Sequence, residues 1–177
     1  MKFPRPVPRR LLQVPGDASS LLTFRTARVE DQDPLYRTCY GHYSRPYFEA
    51  SFQRVLREQA AGRSVQLVAE VSGAGIVGSG QLVRYSGRQA EIADLVVSTA
   101  WRDQGVGTAL IQVLTQIAQA GRIWHLEIGV TDDNERALAL YRRLGFLPER
   151  EVTLPGGGSA FFLVKELAHP VKSLGVA

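Results

Sequence analysis

Arg102, Gly105 and Gly107 are the residues whose types and spacing most plainly suit chemistry. They stand in the stretch AWRDQGVGTAL, between an apolar β-branched run ending at Val97 and a helical pattern ending at Gly121. The first turn of a helix carries unpaired N–H groups and a partial positive charge. Glycines remove the side chains that would hold an anion away from those groups. Arg102 adds a planar cation suited to phosphate oxygens. The chemistry this predicts is the binding of a phosphate-like anion. An ordinary strand-to-helix turn with an exposed arginine is the alternative that these glycines alone leave open.

The elements around that turn follow from periodicity. Ile92 to Val97 reads as a strand. Leu110, Val113, Leu114, Ile117 and Ala118 make one apolar stripe of a helix, and Gly121 suits its C-terminal end. Upstream, Leu21–Arg25 reads as a strand. A helix capped by Asp31 or Asp33, with Pro34 in its first turn, then runs to Gly41, and a second runs from Pro46 to Gly62. Residues 65–71, 76–85 and 90–97 read as an antiparallel meander. Downstream come a strand at 123–130, a helix opened by Thr131 to Glu135, and a final strand pair at 146–154 and 160–167. Asp132 and Glu135 have capping-box spacing. Gly145 and Pro148 end that helix.

One glycine pattern misleads. Gly73-Ala74-Gly75-Ile76-Val77-Gly78 fits the dinucleotide fingerprint G-x-G-x-x-G, with Asp94 about 20 residues further on. A helix should follow it, yet Gly78, Gly80 and Gly87 interrupt the segment, which has no helical period. The segment reads as a hairpin turn.

Composition narrows the classes. The 177 residues suffice for one domain with a full core. A single cysteine, Cys39, excludes an internal disulfide, and three scattered histidines give no metal-site pattern. The net charge of +4 comes from Lys2, Arg5, Arg9 and Arg10, so the remainder gives no reason to invoke nucleic acid. No apolar run approaches a membrane span, and prolines break up the N-terminus where a signal peptide would need an apolar core. The expected location is cytoplasmic. The expected organisation is a basic, Pro-rich arm at 1–20, one domain at 21–168 and a tail at 169–177.

The motif Arg102-Asp103-Gln104-Gly105-Val106-Gly107 resembles the pyrophosphate signature R/Q-x-x-G-x-G/A of the GNAT superfamily of acyl-CoA-dependent N-acyltransferases. Asn134, Ala137, Leu140, Tyr141, Gly145 and Phe146 are similar to the second signature of that family. One helix and one strand separate the two, and the resemblance spans about residues 21 to 167. It implies an α/β (α+β) fold with about four helices. Its mostly antiparallel central sheet of six to seven strands splays between the fourth strand (90–98) and the fifth (123–130), where a bulge opens the gap. It also implies that acetyl-CoA is the cosubstrate, with no metal. Leu95, Val96 and Val97 would pair with pantetheine through their backbone. Arg102, Asp103, Gln104, Gly105, Val106, Gly107 and Thr108 would cradle the pyrophosphate. Asn134 and Ala137 would line the pantetheine path.

The implied reaction is N-acetyl transfer to a small-molecule or peptide amine, by direct attack in a ternary complex. A free alkylamine has a pKa near ~10 and must lose a proton before attack. Glu91 stands eleven residues before Arg102, a spacing similar to that of the glutamate base in the histone-acetyltransferase branch. Strand alternation places it on one face with Ala93, Leu95 and Val97, and Asp94 on the other. Tyr141 is the matching general acid for the departing thiolate, since a phenol near ~10 is close to a thiol near ~8.5. Tyr36, Tyr40, His42, Tyr43, Tyr47 and Phe48 cluster where the acceptor would be covered, or simply pack two helices together. A non-catalytic acyl-CoA-binding sensor or regulatory module is the alternative, and a homodimer is left open.

Overall fold

The computed structural model describes Phe3, residues 12–14 and residues 17–168. Its strands are β1 (Leu12–Val14), β2 (Asp17–Thr26), β3 (Ser64–Val71), β4 (Gly75–Ser86), β5 (Gln89–Val97), β6 (His125–Thr131), β7 (Leu147–Thr153) and β8 (Ser159–Glu166). They form one sheet in the order β1-β2-β3-β4-β5-β6-β8-β7. Every neighbouring pair is antiparallel except β5 with β6. The seven expected strands are β2 to β8. The eighth is β1, which pairs with a β2 that begins four residues ahead of Leu21. The sheet therefore reaches into the stretch read as an arm. Apart from Phe3, which packs in the larger core, the rest of that arm and the tail at 169–177 lie outside the described residues.

The helices are α1 (Gln32–Leu35), α2 (Arg45–Ala60), α3 (Val106–Ala120) and α4 (Glu135–Arg143). A π-helical turn, Tyr36–Tyr40, continues α1. The cap expected from Asp31 does not form. Its carboxylate instead accepts from the Arg28 N–H at 2.7 Å and from both terminal nitrogens of Arg25 at 2.7 Å. Arg25 also reaches Glu70 at 2.6 Å. That bridge joins β2 and β3 to the turn entering α1. No described helix is long and apolar enough to cross a membrane.

The sheet is covered on both faces because its central strands are apolar on both. Leu110, Val113, Leu114 and Ile117 of α3 pack with Leu67, Leu82, Ile92 and Leu126 in the larger core. Leu35, Phe48 and Phe52 pack with Val68 and Ile76 on the opposite face. Gly78 and Gly80 of the misleading fingerprint stand on β4, where α3 comes closest. A Cβ at Gly78 would lie 3.0 Å from the Val96 carbonyl oxygen. One at Gly80 would lie 3.0 Å from Leu95 Cδ1 and 3.1 Å from Leu114 Cδ1. Their role is close packing, not phosphate binding.

The sheet opens where the resemblance implied. Parallel pairing of β5 with β6 runs from Gln89↔His125 to Ile92↔Ile128 and stops there. Beyond it β6 stays with β8 through Thr131, and β5 stays with β4 through Val97. The cause is a bulge. Ser79 faces Val96 and Gln81 faces Ala93, so β5 holds one residue more than β4 over this span. Asp94 lies in it with φ +48°, a left-handed conformation that aspartate tolerates better than most residues.

The bulge also corrects the expected facing of the strand. Ala90 and Ile92 belong to the α3-side core, and after the extra residue Leu95 and Val97 pack on that same core. Glu91 therefore shares a face with Ala93 and Asp94, not with Leu95 and Val97. Strict alternation fails because one inserted residue flips every side chain after it.

Candidate active site

The loop from β5 to α3 is built to present N–H groups. A 3-10 turn, Thr99–Trp101, leads to Asp103 at φ +63° and Gly105 at φ +77°, and helix α3 starts at Val106. A Cβ at Gly105 would meet nothing within 4 Å, so its glycine serves the left-handed backbone rather than space. At Gly107 a side chain would meet only ordinary contacts within the protein. A Cβ there would sit 3.7 Å from Val97 and 3.8 Å from Leu140, on the floor between strand and helix. Arg102 Nε donates to the Val97 carbonyl at 3.3 Å, which fixes the guanidinium over the loop. Gln104 bonds back to the Ala100 carbonyl at 2.9 Å.

This loop forms one wall of a cleft of about 690 Å³. Leu95, Val96 and Val97 of the opened strand form a second wall. Asn134, Ala137, Leu140 and Tyr141 of α4 form a third. Of the residues expected to hold the cofactor, Gln104 alone does not line the cleft. Two lining arginines on α4, Arg136 and Arg143, were missed. Their signal was available: they stand seven residues apart, two turns along the helix. Arg136 pairs with Asp103 across the cleft and so offsets the one acid in the loop. The remaining charge of Arg102 and Arg143 favours a polyanion.

Asn134 accepts from the Ala137 N–H at 3.1 Å and is the N-cap of α4. The expected capping box does not form, because the Asp132 carboxylate accepts instead from the Ser159 N–H at 3.0 Å. Tyr141 is 6% exposed, and burial pushes its phenol up to about 12. Glu91 does not line the cleft. It is the register partner of Glu127 across the parallel pair, on the face away from α3. Burial, then the charges of Glu127 and Asp94, raise its carboxyl above the usual range. Glu127 is buried and held by Arg150 at 2.7 Å, and His125 is bonded to Glu166 at 2.8 Å. Both are structural pairs at the sheet surface.

The acetyltransferase (GNAT) family model matches residues 29–146, which is most of the chain. The chain belongs to this family. Among solved GNAT-like structures, Ard1 from Thermoplasma volcanium superposes with a TM-score of 0.72 at 21% identity, covering 84% of this chain and 99% of that one. The ribosomal-protein-S18-alanine N-acetyltransferase from Escherichia coli gives 0.68 at 16% identity, covering 88% and 100%. A putative acetyltransferase from Salmonella typhimurium, solved with acetyl-CoA, gives 0.67 at 18% identity, covering 83% and 94%. These likenesses establish the GNAT fold. By sequence, the thialysine N-epsilon-acetyltransferase of Bos taurus is 33% identical over 61 residues, 34% of this chain and 36% of that protein. An uncharacterised protein of Mycobacterium leprae is 35% identical over 81 residues, 45% of this chain and 22% of that protein. The chain thus spans about a third or less of the length of these two relatives.

Proposed function

We propose that this GNAT protein transfers an acetyl group from acetyl-CoA to a primary amine. The observation that carries the reading is a coincidence in space. The place where β5 leaves β6 and the N-terminus of α3 open into one cleft, lined with arginines and floored by Gly107. The residues fit the ligand. N–H groups at Gly105 to Thr108 and the Arg102 guanidinium would hold the pyrophosphate. Backbone groups of Leu95 to Val97, free of β6, would pair with pantetheine. Asn134, with its Oδ1 committed to the cap, would offer its amide N–H to a pantetheine carbonyl. Acetyl-CoA supplies an activated thioester carbonyl, which the N–H groups of the opened strand would polarise.

Two proton movements remain for side chains. Glu91 would take the amine's proton through water, from the face away from α3. Tyr141 would donate toward the departing sulfur. Burial widens the gap between its phenol, at about 12, and a thiol near ~8.5, so its contribution belongs at the low end for general acids.

Arg102→Ala should weaken acetyl-CoA binding about 10-fold, or ~1.4 kcal/mol, in calorimetric titration, with the thermal melt unchanged. Wild-type affinity in that variant would remove Arg102 from the cradle. Glu91→Gln tests the base. The active form is the carboxylate, so the rate should fall as pH drops through the raised Glu91 pKa, and that acid limb should vanish in Glu91→Gln. An identical limb in both proteins would assign the base elsewhere.

A further inference from the structure

The bulge exposes a second, smaller chamber on the face away from α3. It holds about 60 Å³ and is lined by Tyr40, Tyr43, Tyr47, Phe48, Gln66 and Asp94, among others. Its aromatic wall is continuous. Tyr40 stacks on Phe48 at 5.0 Å, Tyr40 on Tyr43 at 6.3 Å, and Tyr43 meets Tyr47 at 5.6 Å. Tyr43 and Tyr47 are exposed although large, which places ring faces at the mouth. Tyr40 Oη donates to the Asp94 carbonyl oxygen at 3.2 Å, which ties the π-helical turn to the bulge. That bond uses the backbone of Asp94 and not its carboxylate. Among the described residues the carboxylate forms no ion pair. Arg54 of α2 is the one cation whose field lowers its pKa, and the surrounding protein raises it.

An anionic group accessible to solvent, beside π-faces and with Arg54 near but not in ion-pair contact, is complementary to one class of ligand. A cation is attracted both to the carboxylate and to the negative faces of the rings. The chamber is small against ordinary ligand pockets of ~300 Å³ or more, so it suits a slender group. Asp94 is also adjacent in sequence to Leu95 and Val96, which line the large cleft. The bulge thus puts the two chambers on opposite sides of one short piece of strand.

We propose that the chamber at Asp94 binds the acceptor as an unbranched alkylammonium, with the charge at the Asp94 carboxylate and the alkyl stem along Tyr43 and Tyr47. This rests on the transferase reading and names its substrate class. Bulky aminoglycoside-like or N-terminal peptide amines would be excluded by size. Proton balance is kept: the ammonium ion-paired with Asp94 gives up its proton toward Glu91 on the same face before it attacks.

The test separates binding from transfer. n-Butylammonium chloride is titrated into the full chain saturated with CoA, and binding is followed by calorimetry and by the tyrosine ring resonances. Asp94→Asn is the informative variant, because asparagine also tolerates φ +48° and the Tyr40 bond to the backbone survives. The expected result is saturable binding to the wild type and at least a 10-fold loss in Asp94→Asn, with CoA affinity and thermal melt unchanged. Tyr47→Ala should weaken binding by several-fold. No binding to the wild type, or equal binding by Asp94→Asn, overturns the proposal. Thiol release from acetyl-CoA by n-butylamine is measured in parallel. Release with equal KM in wild type and Asp94→Asn rejects the chamber and leaves the transferase reading standing. Binding without release by n-butylamine overturns the chamber as the acceptor site and leaves the transferase reading to be tested with other amines.

Discussion

Tyr141→Phe should lower kcat by roughly 10²-fold while leaving acetyl-CoA affinity within about two-fold. The phenol lies in the cleft wall, buried and raised to about 12. It therefore stays protonated across the working pH range and, in the proposed mechanism, would act only as sulfur begins to leave. A group that acts late in the reaction affects kcat and kcat/KM together and leaves ground-state binding alone. The raised pKa also fixes the pH behaviour. Donation needs the protonated phenol, so no loss of rate from Tyr141 should occur as pH rises to about 10, and any alkaline limb there belongs to another group. Deletion of one hydroxyl leaves the ring packed on Phe146, whose centroid is 6.3 Å away, so the variant should fold. Single-turnover rates in Tyr141→Phe equal to wild type would remove the acid from the mechanism.

Leu114→Ala should destabilise the domain by ~2–5 kcal/mol in urea denaturation, the range for large-to-small changes in a close-packed core. Leu114 is fully buried at the centre of α3. Its tip and that of Leu95 both fill the space over Gly80. The cavity would therefore open beneath the strand segment that walls the large cleft. An exposed residue of the same helix, Gln116, gives the control, with a change within about 0.5 kcal/mol on substitution by alanine. A cost below ~1 kcal/mol at Leu114 would mean that the site collapses freely and that α3 is not held as tightly as its burial indicates.

Much of this architecture was legible in the sequence. Periodicity located the α3 stripe, and Gly121 and Gly145 marked helix ends, because apolar spacing and helix-ending glycines are local signals; of the two only Gly145 is left-handed, at φ +85°, and after α3 it is Arg122 that takes the left-handed conformation, at φ +56°. The two signatures located the loop at Arg102 and the wall at Asn134 to Tyr141. What was not legible depended on one inserted residue. The resemblance implied a bulge in this strand, but its position at Asp94 has no local signature, and there it reversed the facing of Glu91 relative to Leu95 and created the chamber opposite the cleft. Caps also failed locally. Asp31 and Asp132 have the right type at the right spacing, but a bridge to Arg25 and a bond to Ser159 compete for their carboxylates. Those partners are close only after the sheet has formed. Arg136 and Arg143 stand outside the apolar stripe of α4, which is the periodic signal of that helix, so the stripe does not mark them.

In the proposed reaction the cleft between β5 and α4 presents acetyl-CoA to an amine arriving from the far side of the bulge. Its most direct test is the rate of free-thiol release from acetyl-CoA by the full chain, measured over a panel of primary amines that includes n-butylamine. The account predicts release that saturates with amine, exceeds the amine-free rate, and falls about 10²-fold in Tyr141→Phe. Tight acetyl-CoA binding with no release above the amine-free rate for any amine would contradict it, and would mark the protein as an acyl-CoA-binding module instead.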